Sequence, residues 1–202
     1  MQIIRSATQD QVVLSFLQGE FESSRFGDEL RQTLDFFDFP HSLITHGDFC
    51  DTKQNEDRLK VFKKFRGFPD QDLFERFPKD IEWNYVQFSK ADFFNCYYIN
   101  YSYWNELSDF SSLPEIAAKN IQKGKIVFDV PNDNFLKGKD LLGKKQFAPV
   151  ILISCNPQKN LIIEGHSRMT IYGFNPNYFE GTFGYVGKVL PQEMFVYDKR
   201  MI

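Results

Sequence analysis

Residues 147–174 read FAPVILISCNPQKNLIIEGHSRMTIYGF. The apolar run 147–154 has strand length and no polar face, which predicts a buried central strand. NPQKN is a turn and NLIIE a second buried strand. Gly165 ends that strand, and GHSRMTIYGF starts a short helix. GTFGYVGKVLP, beyond it, reads as a further strand. Strand, turn, strand, helix and strand in this order describe a small mixed sheet, so the expected class is α+β, with a helical N-terminal part packed on the sheet.

Outward from that segment, the N-terminal part is patterned for helices. Thr8 with Gln11 forms a capping-box pattern, followed by Val12, Val13, Phe16, Leu17 and Phe21 at helical spacing. A second helix is expected over 27–38, stopped at Pro40. HSLITHGDFCD reads as loop. A third helix fits 54–66, with Leu59, Phe62 and Phe65 on its apolar face and Arg58, Lys60, Lys63, Lys64 and Arg66 as a basic flank. A short helix at 70–77 and a strand at 81–88 follow. Residues 90–95 suit a helical turn after Ser89. YYINYSYW (97–104) has strand-like composition without excluding a helix. Pro114 opens a helix that Gly124 closes. KIVFDV reads as a strand, and PNDNFLKGKDLLGKKQ as a turn-rich loop whose four lysines could close over a phosphate.

Composition narrows the class. The 202 residues include 23 Phe, 9 Tyr and 2 Trp, and the net charge is only −3, so the chain can bury large rings and is not disordered. No apolar run is long enough to span a membrane. Three widely spaced cysteines (Cys50, Cys96, Cys155) without a CxxC fit small buried hydrophobes in a reducing, cytoplasmic compartment. The N-terminal residues carry no secretion signal pattern. Residues 1–123 hold 14 basic and 20 acidic side chains, against 10 and 7 in residues 124–202. The shift near 123 marks a candidate boundary between a mainly helical part (1–122) and an α+β part (123–202). The basic second part could attract a phosphate, while the acidic total argues against a dedicated DNA binder. The aromatic run Phe93–Trp104 is expected to be core rather than a base-stacking platform. His41, His46, Asp48, Cys50 and Asp51 match no defensible zinc spacing. The Glu20–Phe26 stretch reads as a helix–helix connection.

The chemistry concentrates in Glu164-Gly165-His166-Ser167-Arg168-Met169-Thr170. A glycine permits a tight turn and close approach of a ligand. The first N–H groups of the following helix lack internal partners, and the helix dipole favours an anion there. Ser167 and Thr170 can add hydroxyl donors, and Arg168 can grip phosphate oxygens in a fork. Glu164 and His166 are the acid–base candidates.

Here the chain resembles the superfamily shared by the ParB N-terminal domain, sulfiredoxin and the free-serine kinases. These proteins carry Gly-x-x-Arg after a strand, at a helix start, where it binds nucleotide phosphates. Ala148-Pro149-Val150-Ile151-Leu152 looks like the strand preceding that signature. The resemblance covers about residues 123–190 and implies a nucleotide- or phosphate-binding protein, with ATP or another nucleotide and Mg²⁺ as ligands and phosphotransfer to a small molecule as the activity. Departures matter. Sulfiredoxin has its catalytic Cys where His166 stands, which argues against sulfinic-acid reduction. Ser167 replaces the first of two ParB arginines, and the 32 residues after Thr170 read as strand and tail rather than a helix-turn-helix, which argues against sequence-specific DNA binding. Glu164-Gly165-His166-Ser167-Arg168 is closest to the Asp-Gly-His-His-Arg of the free-serine kinases. The alternative expectation is a non-enzymatic module whose aromatic surface meets a protein or nucleic-acid partner.

Overall fold

The computed structural model describes residues 1–23, 25–67 and 76–201. They form two compact units, one spanning Ala7–Phe77 and the other combining Met1–Ser6 with the chain from Pro78 onward. The composition shift near 123 therefore falls inside the larger unit.

The smaller unit is helical: α1 (Gln9–Phe21), α2 (Gly27–Phe36), α3 (Ser42–Thr45) and α4 (Thr52–Arg66). Thr8 and Gln11 cap α1 reciprocally, as their spacing predicts. Asp51 caps α4, and Gly67 ends it in the left-handed region. HSLITHGDFCD is not all loop, because α3 buries Leu43 and Ile44 beneath it. The centre of this unit is aliphatic: Leu17, Leu30, Leu34, Ile44 and Val61 are fully buried, while Phe16, Phe21, Phe26, Phe37 and Phe39 pack around them. The basic flank of α4 is not uniformly solvated. Arg58 is 1% exposed. Arg66 pairs with Glu20 at 2.7 Å and lies over the Phe26 and Phe65 rings. Most of the expected helix at 70–77 lies outside the described residues.

The larger unit is built on a mixed six-stranded sheet, β1 (Gln2–Ser6), β2 (Glu82–Gln87), β3 (Cys96–Tyr98), β4 (Val150–Asn156), β5 (Lys159–Glu164) and β6 (Phe183–Lys188), ordered β1-β2-β6-β4-β5-β3. The class is α+β. β4 lies between β6 and β5, and its Val150–Ile153 are buried, which explains its unbroken apolar run. Three of the six strands precede residue 123, so that part of the chain is not merely helical. β1 has no counterpart in the sequence pattern, because all five residues are exposed and carry no period-two signal.

Helices α5 (Lys90–Phe93), α6 (Ser102–Leu107), α7 (Pro114–Gln122), α8 (Asp133–Asp140), α9 (His166–Phe174) and α10 (Pro191–Tyr197) complete this unit. The ambiguous 97–104 segment is both things at once: it ends β3 and begins α6. Its neighbourhood is only partly core, since Phe93 and Tyr98 are buried whereas Phe94 and Tyr101 are exposed. Two expectations need correction. KIVFDV is no strand: Val127 and Val130 form an isolated bridge across a turn in which Phe128 and Asp129 take positive φ. Half of the expected lysine loop is α8, held because Phe135 is buried and Gly138 lets its backbone approach Ile171 of α9. The cysteines are free, and Cys50 is exposed rather than buried. Among the described residues no helix is long and apolar enough to cross a membrane.

Candidate functional site

The site forms where β5 runs into α9. Glu164 is the last residue of β5, and Gly165 takes φ 97°, ψ 22° as the N-cap of α9. That left-handed conformation is one that a side chain resists. A Cβ there would also stand 2.8 Å from Val150 Cγ1 and 3.1 Å from an Arg168 guanidinium nitrogen. A left-handed residue followed by helical ones turns successive N–H groups to one side, a concavity suited to an anion. No side chain caps α9, and Met169 N is the first helical amide bonded back, to Gly165 O at 2.8 Å.

Arg168 follows Glu164 by four residues and pairs with it. Its guanidinium donates to Glu164 Oε1 at 3.1 Å and to Pro149 O at 3.2 Å, while Nε is buried without a partner. Glu164 thus holds the arginine over Gly165. Ser167 is exposed at the helix start. Thr170 is directed elsewhere: fully buried, its hydroxyl donates to His166 O and bonds the Tyr98 hydroxyl at 2.7 Å.

His166 keeps some exposure as a residue, yet its Nε2 is buried and unpartnered. Desolvation, reinforced by the Arg168 charge, pushes its pKa down to about 3, against the Ile162 backbone, which favours the protonated ring. At neutral pH His166 is therefore an uncharged ring, and a weaker base than an ordinary histidine. Trp104 stacks on it at 5.3 Å between centroids and on Tyr98 at 4.8 Å. Neither aromatic is among the site residues that the sequence pattern picks out. They arrive through the parallel pairing of β3 with β5, which sets Tyr98 opposite Ile162, and no local pattern announces a contact more than 60 residues away.

The structure thus brings Glu164, Gly165, His166, Ser167 and Arg168 together and turns the Thr170 hydroxyl into the core. Lys137, Lys139, Lys144 and Lys145 are exposed, and Lys139 lies over the Phe174 ring. His46, Asp48 and Asp51 serve local turns and caps in the helical unit. Among the described residues no group of three His, Cys, Asp or Glu side chains could hold a metal ion. Comparison of the chain with family models, with curated proteins and with solved structures finds no match.

Proposed function

We propose that the Gly165–Arg168 turn binds the phosphate of a small ligand, and that this ligand is a nucleotide, as the resemblance to the ParB/sulfiredoxin-like group implies. The observation that carries the reading is the uncapped, left-handed start of α9 beside two buried, unpartnered nitrogens, His166 Nε2 and Arg168 Nε. Polar atoms buried in this way cost free energy unless something satisfies them. In this reading the amides of His166, Ser167 and Arg168 cradle the phosphate, the Ser167 hydroxyl adds a donor, and Arg168 exchanges part of its contact with Glu164 for phosphate oxygens. Mg²⁺ would come with a triphosphate, with Glu164 as the nearby carboxylate able to face it. If phosphotransfer follows, Glu164 and His166 are the acid–base candidates, both of them able to accept a proton at neutral pH. An intracellular setting belongs to the same proposal.

A second reading is a non-enzymatic module that meets a partner. Exposed Phe110 and Phe128, 71% and 63% accessible, favour it. Thermal denaturation with ATP, CTP and GTP plus Mg²⁺ tests the site itself. A real site raises the midpoint with at least one nucleotide, and Arg168→Ala, checked for folding by circular dichroism, removes the rise. No rise, or one that Arg168→Ala leaves intact, overturns the phosphate reading. Consumption of a bound nucleotide in the presence of small metabolites separates enzyme from module.

A further inference from the structure

The helical unit holds an arginine in an unusual state. Arg58, on α4, is 1% exposed, and its guanidinium donates to Leu43 O at 3.2 Å, Gln54 Oε1 at 3.2 Å, Asp48 O at 2.7 Å and Asn55 Oδ1. All four acceptors are neutral. Among the described residues no carboxylate lies within ion-pair distance of it, and its Nε is buried with no acceptor. A buried cation is ordinarily paired, because leaving it unpaired costs more than most packing gains can offset.

Arg58 also forms part of the wall of a cleft of about 330 Å³ between α1 and α4. The other lining residues are Gln9, Asp10, Val13, Asn55 and Leu59. Asp10, exposed in the first turn of α1, Asp51 and Asp48 all carry charges that act on Arg58 without pairing with it, and of the three only Asp10 lines the cleft. Val13 and Leu59 supply apolar wall.

We infer that this cleft binds a small zwitterion of the free amino-acid type, its carboxylate directed to Arg58 and its ammonium to Asp10. The charges decide the class. A simple anion would gain from Arg58 but be repelled by Asp10, and a phosphate dianion more so. A simple cation would meet the buried guanidinium. A ligand carrying both signs satisfies both, and its side chain can lie along Val13 and Leu59. The carboxylate would accept from Nε, or take the place of Asn55 Oδ1 on the guanidinium. Every lining residue belongs to the helical unit, so the proposal does not depend on the phosphate site.

The test uses the full chain and each standard L-amino acid in turn, followed by NMR of the arginine Nε–H signals and by calorimetry. The expected result is saturable binding of at least one amino acid, with a shift of the Arg58 Nε–H signal. The best binder is then compared with its analogues lacking the amino or the carboxyl group, each expected to bind at least about tenfold more weakly. Asp10→Asn, an exposed and conservative change, should weaken the amino acid about fivefold or more while leaving the deaminated analogue unchanged or tighter. Absence of binding by every amino acid at roughly 10 mM overturns the proposal. So does equal binding of the deaminated analogue, or binding that moves neither the Arg58 signal nor responds to Asp10→Asn.

Discussion

The two units each bury an arginine near a cleft or turn, and they treat its charge in opposite ways. Arg168 sits at a helix start with its own carboxylate, Glu164, one turn away. Arg58 is enclosed more completely and has only neutral acceptors. The first arrangement is a balanced pair that a ligand must compete to open. The second is a charge with no ion-pair partner among the described residues, balanced only at a distance by Asp10, Asp51 and Asp48, and it holds its neighbourhood together through backbone and side-chain carbonyl oxygens. A buried arginine is thus no single kind of signal: what it touches decides whether it serves as a ligand contact, a structural tie or both.

That contrast is most exposed to substitution at Arg58. Arg58→Leu strips donors from the Leu43 and Asp48 carbonyls, which tie the 41–51 segment to α4. Urea denaturation should show a loss of about 3 kcal/mol, against about 1 kcal/mol or less for Arg168→Met. Equal losses would break the comparison.

Gly165→Ala comes next. The left-handed backbone and the approach of Val150 Cγ1 should cost about 2 kcal/mol, and the nucleotide-induced thermal shift should vanish with it. An alanine variant that keeps both full stability and the shift would remove the glycine from the site.

The pH dependence sharpens the environment of His166. Its folded pKa of about 3 lies below the 6.5 of an unperturbed histidine, so the unfolded chain takes up the proton first. The stabilising contribution is present above pH 6.5 and is lost as the pH falls from 6.5 toward 3. The slope from this group is at most about 1.4 kcal/mol per pH unit. Stability curves of the native chain and of His166→Asn should be furthest apart above pH 6.5 and converge as the pH falls. Curves that stay parallel through that range would mean that the ring is not desolvated.

The smallest expected effect is at Glu164. Glu164→Gln releases Arg168 from its partner and should tighten binding of the nucleotide without Mg²⁺ about three- to fivefold, the scale of a partly exposed ion pair. Weaker binding would instead give Glu164 a direct part in holding the ligand.

How much of the fold and of the site is legible in the sequence differs by region, for physical reasons. The β4–β5–Gly165–α9 run can be read because buried central strands are continuously apolar and a glycine marks the turn. The Thr8–Gln11 cap is legible because its chemistry is local. β1 is hidden by its full exposure, and α8 by its lysines and glycine, since what holds it is packing on α9. Arg58 reads as part of a solvated flank because helical spacing places a charge on a face without revealing what covers that face. Tyr98 and Trp104 reach His166 only through strand pairing, which a one-dimensional pattern does not contain.

The most direct test of the central claim is a backbone-amide NMR titration of the whole chain with ATP and Mg²⁺. The account predicts saturable shifts at the His166, Ser167 and Arg168 amides, the three N–H groups that start α9, and their loss in Arg168→Ala. Unchanged signals at those three amides across the titration would contradict it.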